Sequence, residues 1–202
     1  MCHTKTNIQI LTFLNNIDTQ LFLFLNKIHS PFFDVVFEWI SGRYSWIPLY
    51  ALLVVFLLIK FKQRLLLITP FIVLLIVMSD QTSVHLFKNV FMRLRPCHNP
   101  DISNLVHIVN DHCGGQYGFV SSHATNTFAL AFFVGSILKK HMSWLLPSLL
   151  VWAAIVSYSR IYLGVHYPAD VLCGALLGII IAKFVLMLFN AVNNRIKTKP
   201  TS

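Results

Sequence analysis

Five stretches of this chain are too apolar to lie against water around their whole circumference, and they restrict the fold more than any other feature. Ser45–Lys60 reads SWIPLYALLVVFLLIK, and Leu65–Met78 reads LLLITPFIVLLIVM before continuing, less purely, to about Phe87. Ala124–Leu138, Trp144–Ser159 and Ala169–Phe189 follow. A helix that crosses a bilayer needs about 20 mostly apolar residues. Composition agrees: the 202 residues are 56% hydrophobic and 11% charged, where a soluble domain carries about 25% charge. So few charges cannot cover a water-facing surface. The expected fold is all-α, a polytopic transmembrane helical bundle. Pro70 and Pro147 lie in or near two of the runs, which membrane helices tolerate.

Residues 1–43 are less uniform. Ile8–Ile28 is apolar but broken by Asn15, Asn16, Asp18, Gln20 and Asn26. Polar groups are costly in hydrocarbon, so this segment reads as an interfacial amphipathic helix. The alternative is that it crosses, giving six spans instead of five. Pro31–Ile40 reads as a second short interfacial piece. No small-residue cleavage site follows the interrupted apolar run, so no cleavable signal peptide is expected. The chain then divides into an interfacial region (1–43), a membrane domain (44–190) and a basic tail (191–202).

Positive charge orients the bundle. Lys60, Lys62 and Arg64 follow the first run, Lys139 and Lys140 the third, and Arg195, Lys197 and Lys199 the fifth. With five alternating spans these clusters share one side, the cytoplasmic one. The loop 88–121 and the turn 160–167 then lie outside. Yet they carry Lys88, Arg93, Arg95 and Arg160. Cations on the side that topology disfavours point to another task, and an anionic ligand is the simplest. The net charge of +9 has both sources. No basic–aromatic platform or known module suggests nucleic acid.

Three segments sit at span ends on that outer face: Lys88–Pro96, Val120–His123 and Ser159–Asp170. Lys88 and Arg95 are two helical turns apart on a continuous helix, and like charges on one face repel unless an anion lies between them. Ser121 reads as a helix N-cap, leaving amides free for phosphate oxygens with His123 in the first turn. Gly164 permits a turn and Pro168 suits a helix start. Asp170, four residues after His166, can accept from one imidazole nitrogen and leave the other lone pair facing the site, as a nucleophilic histidine requires. Arg160 offers a planar fork to phosphate.

Together these segments resemble the signature of the type-2 phosphatidic acid phosphatase superfamily, which includes the vanadium haloperoxidases. The family pattern is K-x6-R-P, then P-S-G-H, then S-R-x5-H-x3-D. This chain matches the first and third with Lys88, Arg95, Pro96, Ser159, Arg160, His166 and Asp170. In the second it keeps Ser121 and His123, with Val120 for the proline and Ser122 for the glycine. The resemblance covers Lys88 to Asp170 and implies a membrane lipid phosphatase. His166 would attack phosphorus and Asp170 would orient it. His123 would protonate the leaving oxygen and then activate water. Lys88, Arg95, Ser121, Ser122 and Arg160, with nearby amides, would hold the phosphoryl oxygens. No metal or other cofactor is expected, since the three cations would supply the charge stabilisation that phosphoryl transfer needs. The implied substrate is a lipid phosphate: undecaprenyl diphosphate, phosphatidylglycerol phosphate, phosphatidic acid or a lipid A phosphate. The expected setting is a bacterial inner membrane, with the site facing the periplasm.

Other residues carry lesser expectations. Arg93 has no motif position and reads as a lipid-facing or headgroup cation. Tyr162 and Tyr167 read as interfacial anchors. Asp80 should face the bundle. The loop 96–120 holds His98, His107 and His112 in no zinc spacing. Cys97 and Cys113 read as a disulfide in an oxidising compartment, holding Arg95 and Ser121 in register; Cys2 and Cys173 read as ordinary thiols. Two rival classes remain: a membrane protein that binds or transports lipid phosphate without hydrolysis, and a haloperoxidase, whose relatives are soluble.

Overall fold

The computed structural model describes the backbone of residues 2–198 and the side chains of residues 9–196. It is helical, and among the described residues no strand forms beyond an isolated bridge between Leu94 and Tyr117. The elements are α1 (Cys2–Asn26), α2 (Pro31–Ser41), α3 (Ile47–Phe61), α4 (Leu65–Gln81), the single turn α5 (Asn89–Phe91), α6 (Ser122–Leu138), α7 (Leu145–Tyr162) and α8 (Pro168–Thr198). Each of the five apolar runs forms one long helix, α3, α4, α6, α7 or α8. Two of them, α7 and α8, are by themselves long and apolar enough to cross a membrane. The tail expected over 191–202 is helical as far as Thr198; residues 199–202 and the Cys2 side chain lie outside the described residues.

The centre of the bundle is α6, packed on α7 and α8. Small residues permit the close approach. A Cβ on Gly174 of α8 would lie 2.7 Å from the Ser121 carbonyl oxygen, and one on Gly135 of α6 2.8 Å from the Leu146 Cα. Such packing is how helices associate where lipid removes the hydrophobic drive between them. Phe133, Val134, Leu138, Leu149, Val185 and Phe189 fill the core around α6. Large apolar side chains such as Leu66, Leu172, Leu176 and Ile180 stay on the outside, an apolar surface suited to lipid rather than water.

In α1 the polarity runs inward. Asp18, Phe22 and Asn26, at spacing four, form its buried stripe, while Leu14, Ile17, Leu21 and Phe24 are exposed. The Asn26 amide donates to the carbonyls of Tyr162 (2.8 Å), His107 (3.1 Å) and Ile161 (3.3 Å) and accepts from the His107 amide (2.7 Å). The polar residues that suggested an interfacial helix therefore include three with partners inside the protein, Asn15, Asp18 and Asn26. Tyr162 and Tyr167 are not interfacial anchors: they are 1% and 2% exposed. The Tyr162 hydroxyl donates to Asp34 of α2 (2.6 Å), which also meets His107 Nε2 (2.9 Å). Those partners make burial of the phenol affordable.

Candidate active site

The Lys88–Arg95 pair does not share a helix face. After Gln81 the chain widens into a π-helix (Thr82–Lys88), makes the turn α5 and ends it at Met92, left-handed with φ 45°. Arg95 follows in extended backbone. Segment 93–95 pairs with 116–118: the Arg95 amide donates to the Gln116 carbonyl (3.1 Å) and the Gly118 amide to the Arg93 carbonyl (2.8 Å). The Arg95 guanidinium donates to the carbonyls of Cys113 (3.0 Å) and Tyr117 (3.3 Å). Cys97 and Cys113 form a disulfide, with Cα atoms 6.1 Å apart. His98 lies beside them, but the two sulfurs are bonded to each other instead of being free thiolates. Cys173 is a free thiol.

Ser121 occupies the N-cap position of α6, but its hydroxyl makes no capping bond. Its amide donates to the Asp170 carbonyl and its carbonyl accepts from Thr125, so the helix start is fixed by backbone. The hydroxyl itself is buried without a partner. Ser122 differs. Its hydroxyl lies 2.8 Å from that of Ser83, and the Ser83 proton goes to the Asp80 carbonyl. Each hydroxyl has one proton, so Ser122 donates to Ser83 and has none left for a ligand. Its backbone amide stays available.

The segment Ile161–Pro168 is buried throughout. Gly164, with φ +77°, makes the turn, a conformation without steric penalty only for glycine. The Arg160 carbonyl accepts from the amides of Val165 (3.1 Å) and His166 (3.2 Å), locking the imidazole's backbone to the end of α7. Pro168 opens α8, and Asp170 Oδ2 reaches back to the Tyr167 amide (3.0 Å), half of a capping box. Its Oδ2 also lies 3.5 Å from His166 Nδ1. A Cβ on Gly118 would stand 3.0 Å from Asp170 Oδ2 and 3.5 Å from His166 Nδ1, so glycine lets the loop cover this pair without pressing on the carboxylate. Burial, and then the charges of Arg95, Arg160 and Lys88, hold His166 well below the ordinary imidazole value.

Arg160 Nη1 bonds the Ser41 hydroxyl of α2, while its Nε is buried without a partner. His123 lines two cavities of about 300 Å³ each, one shared with Asp80 and Ser122, the other with Arg160 and His112. Asp80 thus faces inward, as expected. Arg43, between α2 and α3, lines both cavities and also an apolar groove of about 430 Å³ between α3, α4 and α6.

Arg93 is not a lipid-facing cation. Its Nη1 meets Asp170 Oδ1 at 2.7 Å, and its Nη2 meets Asp18 Oδ2 at 2.7 Å and Asn15 Oδ1 at 3.0 Å. The guanidinium lies 4.0 Å over the Tyr167 ring. Asp18 Oδ1 also accepts the Ala169 amide (2.9 Å) at the start of α8. Sequence reasoning missed this network. The signal was there: an acid within an apolar segment needs a partner, and Arg93 was a cation without one.

Residues 69–194 match the PAP2 superfamily. The chain is 42% identical to a lipid A 4'-phosphatase of Bacteroides thetaiotaomicron over 84% of its length and 75% of the relative's. It is 34% identical to a lipid A 4'-phosphatase of Porphyromonas gingivalis over 92% and 78% respectively. In structure it resembles LpxE of Aquifex aeolicus, with a TM-score of 0.60 at 26% identity, covering 83% of this chain and 93% of that one. The matched residues hold all three motif segments and the helices that position them: the chain belongs to the PAP2 superfamily.

Proposed function

We propose that this protein is a lipid phosphatase that removes a phosphate from lipid A through a phosphohistidine at His166. One observation carries the reading: Ser121 Oγ and Arg160 Nε are buried without partners, backbone hydrogen bonds tie Arg160 to His166 and Ser121 to Asp170, and the charges of Lys88, Arg95 and Arg160 all act on the His166 imidazole. Leaving a buried donor unsatisfied costs about 1–3 kcal/mol, and a phosphoryl group satisfies both while neutralising the cations. The lipid A relatives support the choice of lipid.

In the reaction His166 Nε2 attacks phosphorus, and the bond from phosphorus to the lipid oxygen breaks. His123, open to both cavities, gives that oxygen its proton. It then takes a proton from water, whose oxygen attacks the phosphohistidine and frees His166 and inorganic phosphate. Asp170 faces Nδ1 and leaves Nε2 for phosphorus; the 3.5 Å separation is the looser geometry common before substrate binds. Lys88, Arg95, Arg160, Ser121 and the Ser122 amide hold the equatorial oxygens.

In this reading α3, α4, α6, α7 and α8 cross a bacterial cytoplasmic membrane, with residues 1–43 at the outer interface. The basic clusters after α3, α6 and α8 lie inside, and the site faces the periplasm. The test is phosphate release in detergent with excess EDTA from lipid A, undecaprenyl diphosphate and phosphatidylglycerol phosphate, for wild type and His166→Ala. Release from lipid A that vanishes in the variant is the expected result. Equal release by the variant overturns the histidine mechanism, preference for another lipid overturns the substrate, and no release from any lipid leaves a binding protein.

A further inference from the structure

We propose that Arg93 is a positioning residue for the reaction: anchored on α1 by Asp18 and Asn15, it sets the Asp170 carboxylate so that Oδ2 faces the nucleophilic imidazole. The inference rests on the phosphohistidine reading above and extends it to a helix that carries no motif.

Both terminal nitrogens of Arg93 face protein. Nη1 bonds Asp170 Oδ1, and Nη2 bonds Asp18 and Asn15. Its charge is matched by two carboxylates, one wholly buried, and its face is covered by Tyr167. A guanidinium so engaged does not hold phosphate as Arg160 does with its unpartnered Nε. It holds a carboxylate instead. Asp170 has two oxygens in different settings: Oδ1 accepts from Arg93, while Oδ2 accepts from the Tyr167 amide and lies 3.5 Å from His166 Nδ1, which makes no hydrogen bond before substrate binds. Those partners fix the rotation of the carboxylate plane. Removing Arg93 leaves Oδ1 buried with no cation, and the carboxylate is then free to turn away from Nδ1. His166 would lose the acceptor that fixes its tautomer, and the fraction of molecules with a lone pair on Nε2 would fall.

Asp18 ties this arrangement to α1 twice, through Arg93 and through the Ala169 amide in the first turn of α8. The first turn of α8 also carries Asp170. Helix α1 thus holds both the carboxylate's partner and the backbone on which the carboxylate stands.

The experiment is steady-state kinetics on lipid A, with rapid-quench trapping of labelled phosphohistidine, for wild type, Arg93→Ala, Arg93→Lys, Asp18→Asn and the Arg93→Ala/Asp18→Asn pair. Thermal melting in detergent confirms folding. Misplacing a reacting group by about 1 Å costs ~100-fold, so Arg93→Ala is expected to lower kcat and phosphohistidine formation by ~100-fold with KM nearly unchanged. Lysine, with one donor head, should restore part of the rate. Asp18→Asn should show a smaller loss of the same kind, with no further loss in the pair. A raised KM at unchanged kcat would make Arg93 a phosphate ligand and overturn the proposal, as would phosphohistidine formation at the wild-type rate in Arg93→Ala. If Arg93→Ala does not fold, Asp18→Asn decides alone: wild-type kcat there also overturns it. Absence of phosphohistidine in the wild type would instead defeat the mechanism on which the proposal rests.

Discussion

Ser122 and Ser83 share a hydrogen bond of 2.8 Å that ties the first turn of α6 to the π-helix ending at Lys88. The serine at the family's glycine position has a structural partner, so its side chain and its amide have separate tasks. Ser122→Gly should keep kcat/KM within about threefold, because the amide remains. It should lower stability by about 1 kcal/mol, the worth of one net hydrogen bond. Melting in detergent and phosphate release check both halves.

The Cys97–Cys113 bond constrains Arg95, which donates to the Cys113 carbonyl. Closing a loop of this length stabilises by about 3 kcal/mol in the chain-entropy account. Replacing both cysteines by alanine should lower the melting temperature and raise KM more than it lowers kcat, since a cation proposed to bind phosphate loses its support. An unchanged KM would show that Arg95 is held by its Tyr117 contact alone.

The pH profile should carry the mark of a neutral nucleophile. His166 sits well below 6.5 because of burial first and the three cations second. An imidazole with a depressed folded-state value contributes stability that is fully present above about pH 6.5. That contribution is lost as pH falls toward the folded value, because the unfolded chain binds a proton the folded one refuses. For catalysis, kcat/KM reports the free enzyme. Measured between about pH 5 and 8, it should show no loss at 6.5 attributable to His166. An inflection at 6.5 that persists in His123→Ala would contradict this.

Asn26 joins α1 to the end of α7 and to the loop 96–120 through four hydrogen bonds. Asn26→Leu removes partners from backbone groups of both the end of α7 and the loop and should cost about 3 kcal/mol. Denaturation in mixed micelles measures it. Asn16→Leu, on the exposed side of α1, should cost little.

Much of this was legible in the chain itself. The apolar runs became the long helices, because a run of such residues leaves a helix few alternatives in lipid. Ser121, His123, Arg160, His166 and Asp170 lie at or next to the ends of such helices, whereas Arg95 stands in extended backbone. Legibility failed where contacts cross the sequence. Periodicity placed Lys88 and Arg95 on one helix face, but the π-turn and the left-handed Met92 break that helix, and neither follows from residue spacing. Ser121 was read as a cap from its residue type, whereas backbone carbonyls and amides fix the position and free its hydroxyl. Arg93, Asp18 and Asn15 were misjudged singly because their meaning lies in one another, 75 and 78 residues apart.

The inward polarity of α1 has a consequence for how the molecule is made. Helix α1 is synthesised before α7 and α8 and presents Asp18 and Asn26, whose partners come much later: Ala169 is 151 residues further on and Tyr162 is 136. Until α8 is in place, α1 carries an uncompensated acid and an unsatisfied amide, a state that membrane chaperones and proteases can recognise. In the proposed mechanism the contact that completes α1 also seats the carboxylate behind the nucleophile, so a half-made chain would be both marked for removal and unable to act on the lipids around it.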